Sequence, residues 1–212
     1  MMNANHRTIL GTLNLVIDLR GNGGGADGSF RSLIPYLYTN PIRTVGVKLL
    51  STKQNNQAML NYSQDDNFNE SDRKWFKDAY EKLDKNLGKF VQLNDDIISI
   101  QKLDTIYPQP KNIAIIINEV NASTTEQFLL AAKQSKKVKL FGTTTFGALD
   151  ISNMTGAQSP CGEFELWYCV SKSHRIPDMA IDGKGIQPDY YIDKSIPPYK
   201  WVDFVNKVIS EN

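Results

Sequence analysis

The sequence predicts an α/β fold in which a largely parallel sheet carries a short antiparallel addition. Residues 15–19 and 113–117 are short, mainly apolar runs, as in parallel strands that are covered on both faces. Residues 113–117, 128–132 and 138–141 follow one another as strand, helix and strand, which predicts a right-handed βαβ unit. Residues 164–170 alternate between apolar and polar side chains, which is typical of an antiparallel strand with one face in water.

The composition is that of an ordinary globular protein. A chain of 212 residues with 41% hydrophobic and 22% charged residues is not disordered, collagenous or coiled-coil. The net charge of +1 argues against a nucleic-acid-binding surface. No apolar run approaches the ~18 residues of a membrane span, and the N-terminus lacks the apolar region of a signal peptide. Two cysteines make neither a disulfide framework nor a zinc site, and no metal or organic cofactor is implied.

The first part of the chain is predicted to form a strand, a loop, a helix and a second strand. Residues 15–19 run into the glycine-rich loop 21–25, which needs positions free of a Cβ atom. Apolar side chains at helical spacing predict a helix over residues 30–38. Pro41 ends this helix, and residues 44–50 form the second strand candidate.

Residues 53–105 are predicted to be an insertion in a single domain that covers residues 1–212. Residues 53–70 are rich in Asn, Gln, Asp and Ser, which predicts an exposed excursion. A helix follows whose apolar side chains recur at steps of four and three residues, and its packing face is Phe76, Tyr80, Leu83, Leu87 and Phe90. A C-terminal helix is predicted over residues 199–209.

The glycine-rich loop allows two interpretations. Its N–H groups can converge on a phosphate or an oxyanion at the carboxyl end of a buried strand, or its glycines can simply permit a tight turn. Gly21-x-Gly23-x-x-Ala26 also matches the dinucleotide fingerprint. That match is weak, because no acidic residue ends the next strand about 20 positions on.

Ser123 also allows two interpretations. With Glu126 it forms the pattern of a capping box, in which the serine only caps the following helix. Alternatively, a serine at a helix start just after a buried strand is held where a nucleophile is exposed, next to the N–H of Thr124.

Four motifs together resemble the carboxyl-terminal processing, or tail-specific, serine proteases and the related tricorn-like branch. The motifs lie in the order and rough spacing of that family, and they are LVIDLRGNGGG at 15–25, NASTTE at 121–126, GTTTFG at 142–147 and GIQPD at 185–189. The resemblance spans about residues 13–193. It implies a ClpP/crotonase-like α/β core of βαβ units, with an inserted helical segment and a short antiparallel appendix here. It also implies hydrolysis of polypeptide substrates through a serine acyl-enzyme.

The resemblance assigns roles to residues of this chain. Ser123 matches the nucleophile, and the oxyanion hole matches the backbone N–H groups of Gly24 or Gly25 and of Thr124. Asp182 lies where the tricorn-like branch has a supporting acid. Neither these roles nor the family implies a metal or organic cofactor.

The general base is where this sequence departs from the family. The processing proteases carry a lysine directly after the Thr-Phe-Gly turn, and this chain has Ala148 there. The tricorn-like branch uses a histidine from an upstream strand, and we expect that N-terminal part of the family domain to be missing. His6 and His174, the chain's two histidines, are the remaining candidates for the base.

The function is therefore expected to be that of a serine peptidase. The alternative is a catalytically incomplete peptide-binding module with the same fold. A nucleotide-binding domain built on the glycine loop is a further hypothesis, and it predicts indifference to Ser123→Ala. The family suggests the bacterial periplasm, the envelope or secretion as the location, with a homo-oligomer left open.

Overall fold

The computed structural model describes the backbone of residues 2–211 and the side chains of residues 5–211. These residues group into two compact units. Unit 1 holds the residues up to Thr44, Ile100–Leu149 and those from Ile181 onward, and unit 2 holds Val45–Ser99 and Asp150–Ala180.

The helices and strands alternate along much of the chain. In chain order they are α1 (Met2–Leu10), β1 (Asn14–Asp18), α2 (Ile34–Leu37), β2 (Ile42–Val45), β3 (Val47–Leu50), α3 (Lys53–Ser63), α4 (Glu70–Asp84), β4 (Phe90–Gln92), β5 (Ile98–Gln101), β6 (Asn112–Ile117), α5 (Thr124–Ala132), β7 (Val138–Gly142), β8 (Ile151–Gln158), β9 (Glu165–Ser173), β10 (Tyr190–Tyr191) and α6 (Trp201–Ser210). No helix within residues 2–211 has the length and apolar character that a membrane span requires.

Unit 1 is built on a parallel sheet with the strand order β1-β6-β7-β10. Strand β6 is apolar without interruption because both of its faces are covered. Ile113, Ile115 and Ile117 face a core that includes Phe128 and Leu129 of α5. The alternate side chains of β6 face a second core that α6 covers. The parallel pairing of β1 with β6 brings the loops that follow these two strands to the same edge of the sheet.

Unit 2 is built on an antiparallel sheet with the strand order β4-β3-β9-β8. Helices α3 and α4 pack against each other in this unit. The buried hydroxyl of Ser51 donates to the carbonyl of Leu83 and accepts from the amide of Asn56. Arg175 and Asp150 form a buried ion pair with a distance of 2.7 Å between Nε and Oδ1. Strands β2 and β5 pair with each other.

The α/β class and the strand–helix–strand order of β6, α5 and β7 are confirmed. The helix predicted over 30–38 is shorter, because a 3₁₀ turn at Asp27–Phe30 precedes α2. The strand predicted over 44–50 is divided at Gly46, whose N–H bonds the carbonyl of Ile97.

The segment predicted as an exposed excursion over residues 53–70 is exposed or half-buried apart from Asn56, but it contains a helix that was not predicted. Residues Lys53–Ser63 form helix α3, whose N-terminus is capped by the Thr52 side chain accepting from the N–H of Asn55. Polar composition concealed this helix, since only part of its surface is buried. The predicted stripe of α4 is too long, because the helix ends at Asp84, before Leu87, and Phe90 lies in β4.

Strand β9 carries more exposed apolar surface than its alternating pattern predicts. Phe164, Leu166 and Trp167 are 70%, 66% and 56% exposed around the end of the β8–β9 hairpin. Tyr168 and Val170 of the predicted apolar face are half-buried, whereas Ser171 and Ser173, which continue the face predicted to lie in water, are buried. The alternation therefore marks a strand but not a uniformly covered face.

His174 is expected to make the stability of the protein depend on pH. Its Nε2 is buried without a hydrogen-bond partner among the described residues. Burial, and secondarily the charge of Lys48, lowers the pKa of His174 below its usual value. The unfolded chain therefore binds more protons than the folded chain as pH falls below about 6.5, so the free energy of unfolding falls with pH in that window.

The variant His174→Gln should flatten this dependence. We expect a smaller loss of the urea midpoint between pH 7.5 and pH 5 than in the unchanged chain. Lys48→Met should reduce the loss only in part, since it removes the lesser cause. An unaltered slope in His174→Gln would show that other groups set the pH dependence.

Candidate active site

Ser123 stands between strand β6 and helix α5, as the residue directly before the helix. Its N–H donates to the carbonyl of Ala148 at 3.0 Å, and its own carbonyl accepts from the N–H of Gln127. The residue is half-buried, while Thr124, Thr125 and Glu126 after it are buried. Ser123 is therefore fixed at both of its backbone groups.

The backbone of Ser123 is strained and its hydroxyl does not cap the helix. Its φ and ψ are 56° and −124°, a combination that L-residues other than glycine rarely adopt. No hydrogen bond from the helix N-terminus reaches the Ser123 side chain. The capping-box interpretation is therefore wrong. A non-glycine residue on a sharp, strained turn into a helix is the arrangement that exposes the nucleophilic serine of α/β-hydrolases.

The glycine-rich loop lies directly against Ser123. A Cβ atom built on Gly24 would stand 2.8 Å from the Cβ of Ser123 and 3.0 Å from the carbonyl oxygen of Ala122. Gly24 also has a φ of +115°, which disfavours any side chain. Both the backbone conformation and the contact with Ser123 therefore require glycine at position 24.

Asparagine and threonine side chains tie the glycine-rich loop to α5. Asn121 is fully buried and donates its amide to the carbonyls of Leu19 and Asn22. Thr125 donates to Asn22 at its carbonyl and its Oδ1. Thr124 donates to the carbonyl of Gly25 and contacts Oδ1 of Asp27. Sequence reasoning missed Asn22, Asn121 and Thr125, although short polar side chains beside consecutive glycines are a signal for such ties.

The N–H groups predicted for an oxyanion hole differ in whether they already donate a hydrogen bond. The N–H of Gly24 donates to Oδ1 of Asn22 at 3.0 Å, so it is engaged within the loop. The N–H groups of Gly25 and Thr124 have no hydrogen-bond partner within unit 1 as described. Of the three predicted N–H groups, those of Gly25 and Thr124 are therefore the ones left unbonded within the described part of unit 1.

Glu126 holds the segment after β7 against the start of α5. Its fully buried carboxylate accepts from Oγ1 of Thr145 at 2.5 Å and from the N–H groups of Gly147 and Ala148 at 2.8 Å. The carbonyl of Ala148 then accepts from Ser123. Glu126 thus acts on the position of Ser123 through a chain of two hydrogen bonds.

Asp182 contacts the same segment from the other side. Its Oδ1 accepts from the N–H of Leu149 at 2.6 Å. Leu149 directly follows Ala148, whose carbonyl accepts from the Ser123 N–H. Asp182 therefore binds the residue next to the one that holds Ser123. The geometry gives Asp182 a part in holding this segment.

The two histidines lie in different surroundings. His6 belongs to α1 in unit 1, where Nδ1 is 2.8 Å from the hydroxyl of Tyr36 and the ring contacts Tyr36 and Tyr107. His174 belongs to unit 2 and has the buried Nε2 described above. Within unit 1 as described, no basic side chain hydrogen-bonds the Ser123 hydroxyl.

Asp18 and Arg20 anchor the start of the glycine-rich loop. Two nitrogens of the Arg20 guanidinium bond the two carboxylate oxygens of Asp18 at 2.9 and 2.6 Å. These hydrogen bonds lower the pKa of Asp18. Arg20 also donates to the carbonyl of Pro198 and lies over the ring of Trp201. The pair therefore connects the loop to the start of α6.

Substituting Gly24 should destabilise the protein much more than substituting its neighbour. We expect Gly24→Ala to lower the free energy of unfolding by about 2 kcal/mol or more, because its φ and the contact with Ser123 both oppose a Cβ. Gly23→Ala is the matched control, since the nearest atom to its Cβ is 4.0 Å away. Urea unfolding of both variants measures the difference. Equal losses would mean that the loop moves away from Ser123 at little cost.

Relieving the strain at Ser123 should stabilise the protein. Ser123→Gly is expected to exceed Ser123→Ala in free energy of unfolding by about 1 kcal/mol, because glycine adopts this backbone conformation without strain. Both variants lack the hydroxyl, so their difference isolates the backbone. Equal stability of the two variants would contradict the strained geometry.

Comparison with known proteins bears on this site. Residues 2–192 match the model of peptidase family S41. A probable CtpA-like serine protease of Staphylococcus haemolyticus is 31% identical over 121 residues, which make up 54% of this chain and 23% of that protein.

Solved structures share the fold at low sequence identity. Mature CPAF complexed with lactacystin superposes with a TM-score of 0.66 at 17% identity, covering 95% of this chain and 44% of that one. The photosystem II D1 C-terminal processing protease gives a TM-score of 0.52 at 17% identity, covering 92% and 38%. The chain thus spans less than half the length of each of these proteins. Since the family model covers nearly all of its residues, the chain belongs to peptidase family S41, a family of serine peptidases.

Proposed function

We propose that this chain is a peptidase catalytic domain that cleaves peptide bonds through an acyl-enzyme on Ser123. The observation that carries the proposal is the backbone of Ser123, which is strained and, among the described residues, leaves the hydroxyl without a capping role at the start of α5. A serine that only capped the helix would not need this conformation. Strain of this kind is characteristic of functional sites.

The reaction requires three contributions from the site. Oγ of Ser123 attacks the scissile carbonyl carbon and gives its proton to a base, which forms a tetrahedral oxyanion. The N–H groups of Gly25 and Thr124 stabilise this oxyanion, and Gly24 joins them only if Asn22 releases its N–H. The leaving amine then takes the proton, and water hydrolyses the acyl-enzyme.

The source of the base is the open element of this mechanism. His6 and His174 are the candidates that this chain supplies, and a base supplied in trans is the third. His6 would have its ring orientation held by Tyr36. A lowered pKa of His174 favours the neutral imidazole, which is the form that accepts a proton.

The proposed substrate is an extended polypeptide near its end. The names of the matched relatives, CtpA-like protease and C-terminal processing protease, support action at chain ends. Strand β1 lies at the edge of its sheet and leads into the glycine-rich loop, so a peptide can add there as a further strand. The loop's N–H groups would then meet the scissile carbonyl.

We also propose the finer description of the fold, a ClpP/crotonase-like core, for unit 1. The β6–α5–β7 unit and the helices on both faces of the parallel sheet support it. A single catalytic domain over 1–212, an envelope location and a homo-oligomer remain predictions.

A second candidate is a peptide-binding module with the same fold and no turnover. Ala148 at the position of the family's lysine favours it, as does the absence of a base bonded to the Ser123 hydroxyl within unit 1 as described. Such a module would bind polypeptide without forming an acyl-enzyme.

A serine-directed phosphonate ester tests the proposal. We expect an adduct on Ser123, located by peptide mapping, that is lost in Ser123→Ala. His6→Gln and His174→Gln then identify the base, because the adduct forms at least about tenfold more slowly without it. If the unchanged chain is labelled and both histidine variants are labelled at the same rate, another group supplies the base.

The same experiment separates the two candidates. A folded chain that forms no adduct, yet binds a fluorescently labelled unfolded polypeptide with saturation, would overturn the peptidase proposal in favour of the binding module. Ser123→Ala should bind that polypeptide equally well in either case, which makes it the control for binding.

A further inference from the structure

A pocket of about 290 Å³ lies in unit 2, between helix α4 and the loop that follows β4. Trp75, Asp78 and Lys82 line it from the helix, where residues three and four apart share one face. Asp95 lines it from the loop. Ala79 is buried at the same wall, and its small side chain leaves the space open.

Hydrogen bonds hold the loop that forms the second wall of the pocket. Nε2 of Gln92 donates to the carbonyls of Asn94 and Asp95 at 2.8 and 3.0 Å. Nζ of Lys82 donates to the carbonyl of Leu93 at 3.2 Å, which joins α4 to the loop. The two walls are therefore connected before any ligand arrives, so less conformational freedom is lost on binding.

The lining of the pocket carries an excess of negative charge. The carboxylates of Asp78 and Asp95 form no ion pair and no side-chain hydrogen bond within unit 2 as described. The one cation in the lining, Lys82, already donates to a carbonyl. Since two carboxylates stand against one ammonium group, the pocket attracts a further cation and repels an anion.

Trp75 adds an aromatic surface beside these carboxylates. The residue is 44% exposed, and its ring lies 5.4 Å from that of Phe76 in an edge-to-face arrangement. Phe76 in turn contacts the rings of Tyr62 and Phe68, which fix its position. The face of an indole ring attracts cations. In the described part of unit 2, no lysine or arginine side chain stacks on Trp75, so the ring is available to a ligand.

A guanidinium group suits this combination better than an ammonium group does. It is planar, so it stacks on an indole ring, and its N–H groups form a fork that binds a carboxylate with two hydrogen bonds. It is also more weakly hydrated than an ammonium group, so it leaves water more readily. The pocket holds roughly nine water molecules at about 30 Å³ each, which is more than the volume of an arginine side chain.

We propose that this pocket binds the guanidinium group of an arginine side chain in a polypeptide. Trp75 supplies the stacking surface, Asp78 and Asp95 supply the counter-charge, and Ala79 leaves the space. The polypeptide as the source of the guanidinium group rests on the proposed function, whereas the guanidinium chemistry rests on the pocket alone. The predicted insertion over residues 53–105 thereby gains a role in binding.

An NMR titration of the full chain with ¹⁵N-labelled tryptophan tests the proposal. The chain has three tryptophans, and the indole N–H signal of Trp75 is the one that Trp75→Phe removes. The probes are the N-acetyl methylamides of arginine, lysine, citrulline and glutamate, of which citrulline keeps the shape of arginine without its charge. We expect the arginine probe to shift the Trp75 signal with saturation and to bind at least about threefold more tightly than the lysine probe. The citrulline and glutamate probes should give no saturable shift.

Variants of the pocket should weaken binding of the arginine probe, followed at the backbone N–H signal of Asn94. We expect a loss of about fivefold in Trp75→Leu and of about threefold in each of Asp78→Asn and Asp95→Asn. Two matched controls should bind normally. They are Trp167→Leu, at the other exposed tryptophan of unit 2, and Asp96→Asn, next to Asp95 but outside the lining. Trp75→Phe replaces Trp75→Leu if the latter does not fold, with a smaller loss expected.

Two results would overturn the guanidinium site: a citrulline probe that binds as tightly as the arginine probe, or an affinity that the tryptophan and aspartate variants leave unchanged in folded chains. Methylguanidine and a short peptide with one internal arginine separate the two sources of the group. If methylguanidine shifts the Trp75 signal and the peptide does not, the polypeptide is overturned as the source.

Failure of the proposed function would look different. Ser123→Ala should bind the arginine probe as the unchanged chain does, because the pocket lies in unit 2 and Ser123 in unit 1. A chain that binds the arginine probe and forms no phosphonate adduct on Ser123 would therefore uphold the guanidinium site and overturn turnover.

Discussion

The site of this protein depends on the close approach of one backbone segment to another. Gly24 lies so near Ser123 that a single added carbon atom would collide with the serine side chain. This approach exists because β1 and β6 are parallel neighbours whose carboxyl ends meet at one edge of the sheet. Asn121, Thr124 and Thr125 then hold the two loops together with side-chain hydrogen bonds. Without the β1–β6 pairing, the glycines and the serine would be separated by about a hundred residues of chain, and these side chains would not meet their partners.

The strained conformation of Ser123 persists because its surroundings hold it at several points. Its N–H is bound by Ala148, whose own N–H is bound by Glu126. The adjoining Leu149 is bound by Asp182. At Ser123, Ala148 and Leu149 these contacts engage only main-chain groups, so none of them occupies the serine hydroxyl. These hydrogen bonds therefore stabilise the strained backbone of Ser123 and fix the position of its side chain. Strained residues at functional sites are held by their surroundings in this way.

The sequence was sufficient for the parts of the fold that depend on hydrophobic pattern. The uninterrupted apolar run of β6 and the helical spacing of α5 predicted both elements, and the four motifs predicted the family. Helix α3 was missed because polar residues cover most of its surface. The capping role of Ser123 was considered because a helix start and a strained turn have the same sequence pattern, and only φ distinguishes them. The engagement of the Gly24 N–H by Asn22 depends on loop geometry that no local pattern encodes.

The placement of unit 2 within the chain bears on how far this protein can vary in length. The first stretch of unit 2, Val45–Ser99, lies between β1 and β6, so the β1–β6 pairing closes a loop of nearly a hundred residues. The entropic cost of closing a flexible loop grows only with the logarithm of its length, at about 0.6 kcal/mol for each doubling. Lengthening or shortening that stretch therefore changes the free energy of assembling the site very little. The Val45–Ser99 stretch can therefore differ in length at little cost to the pairing of β1 with β6.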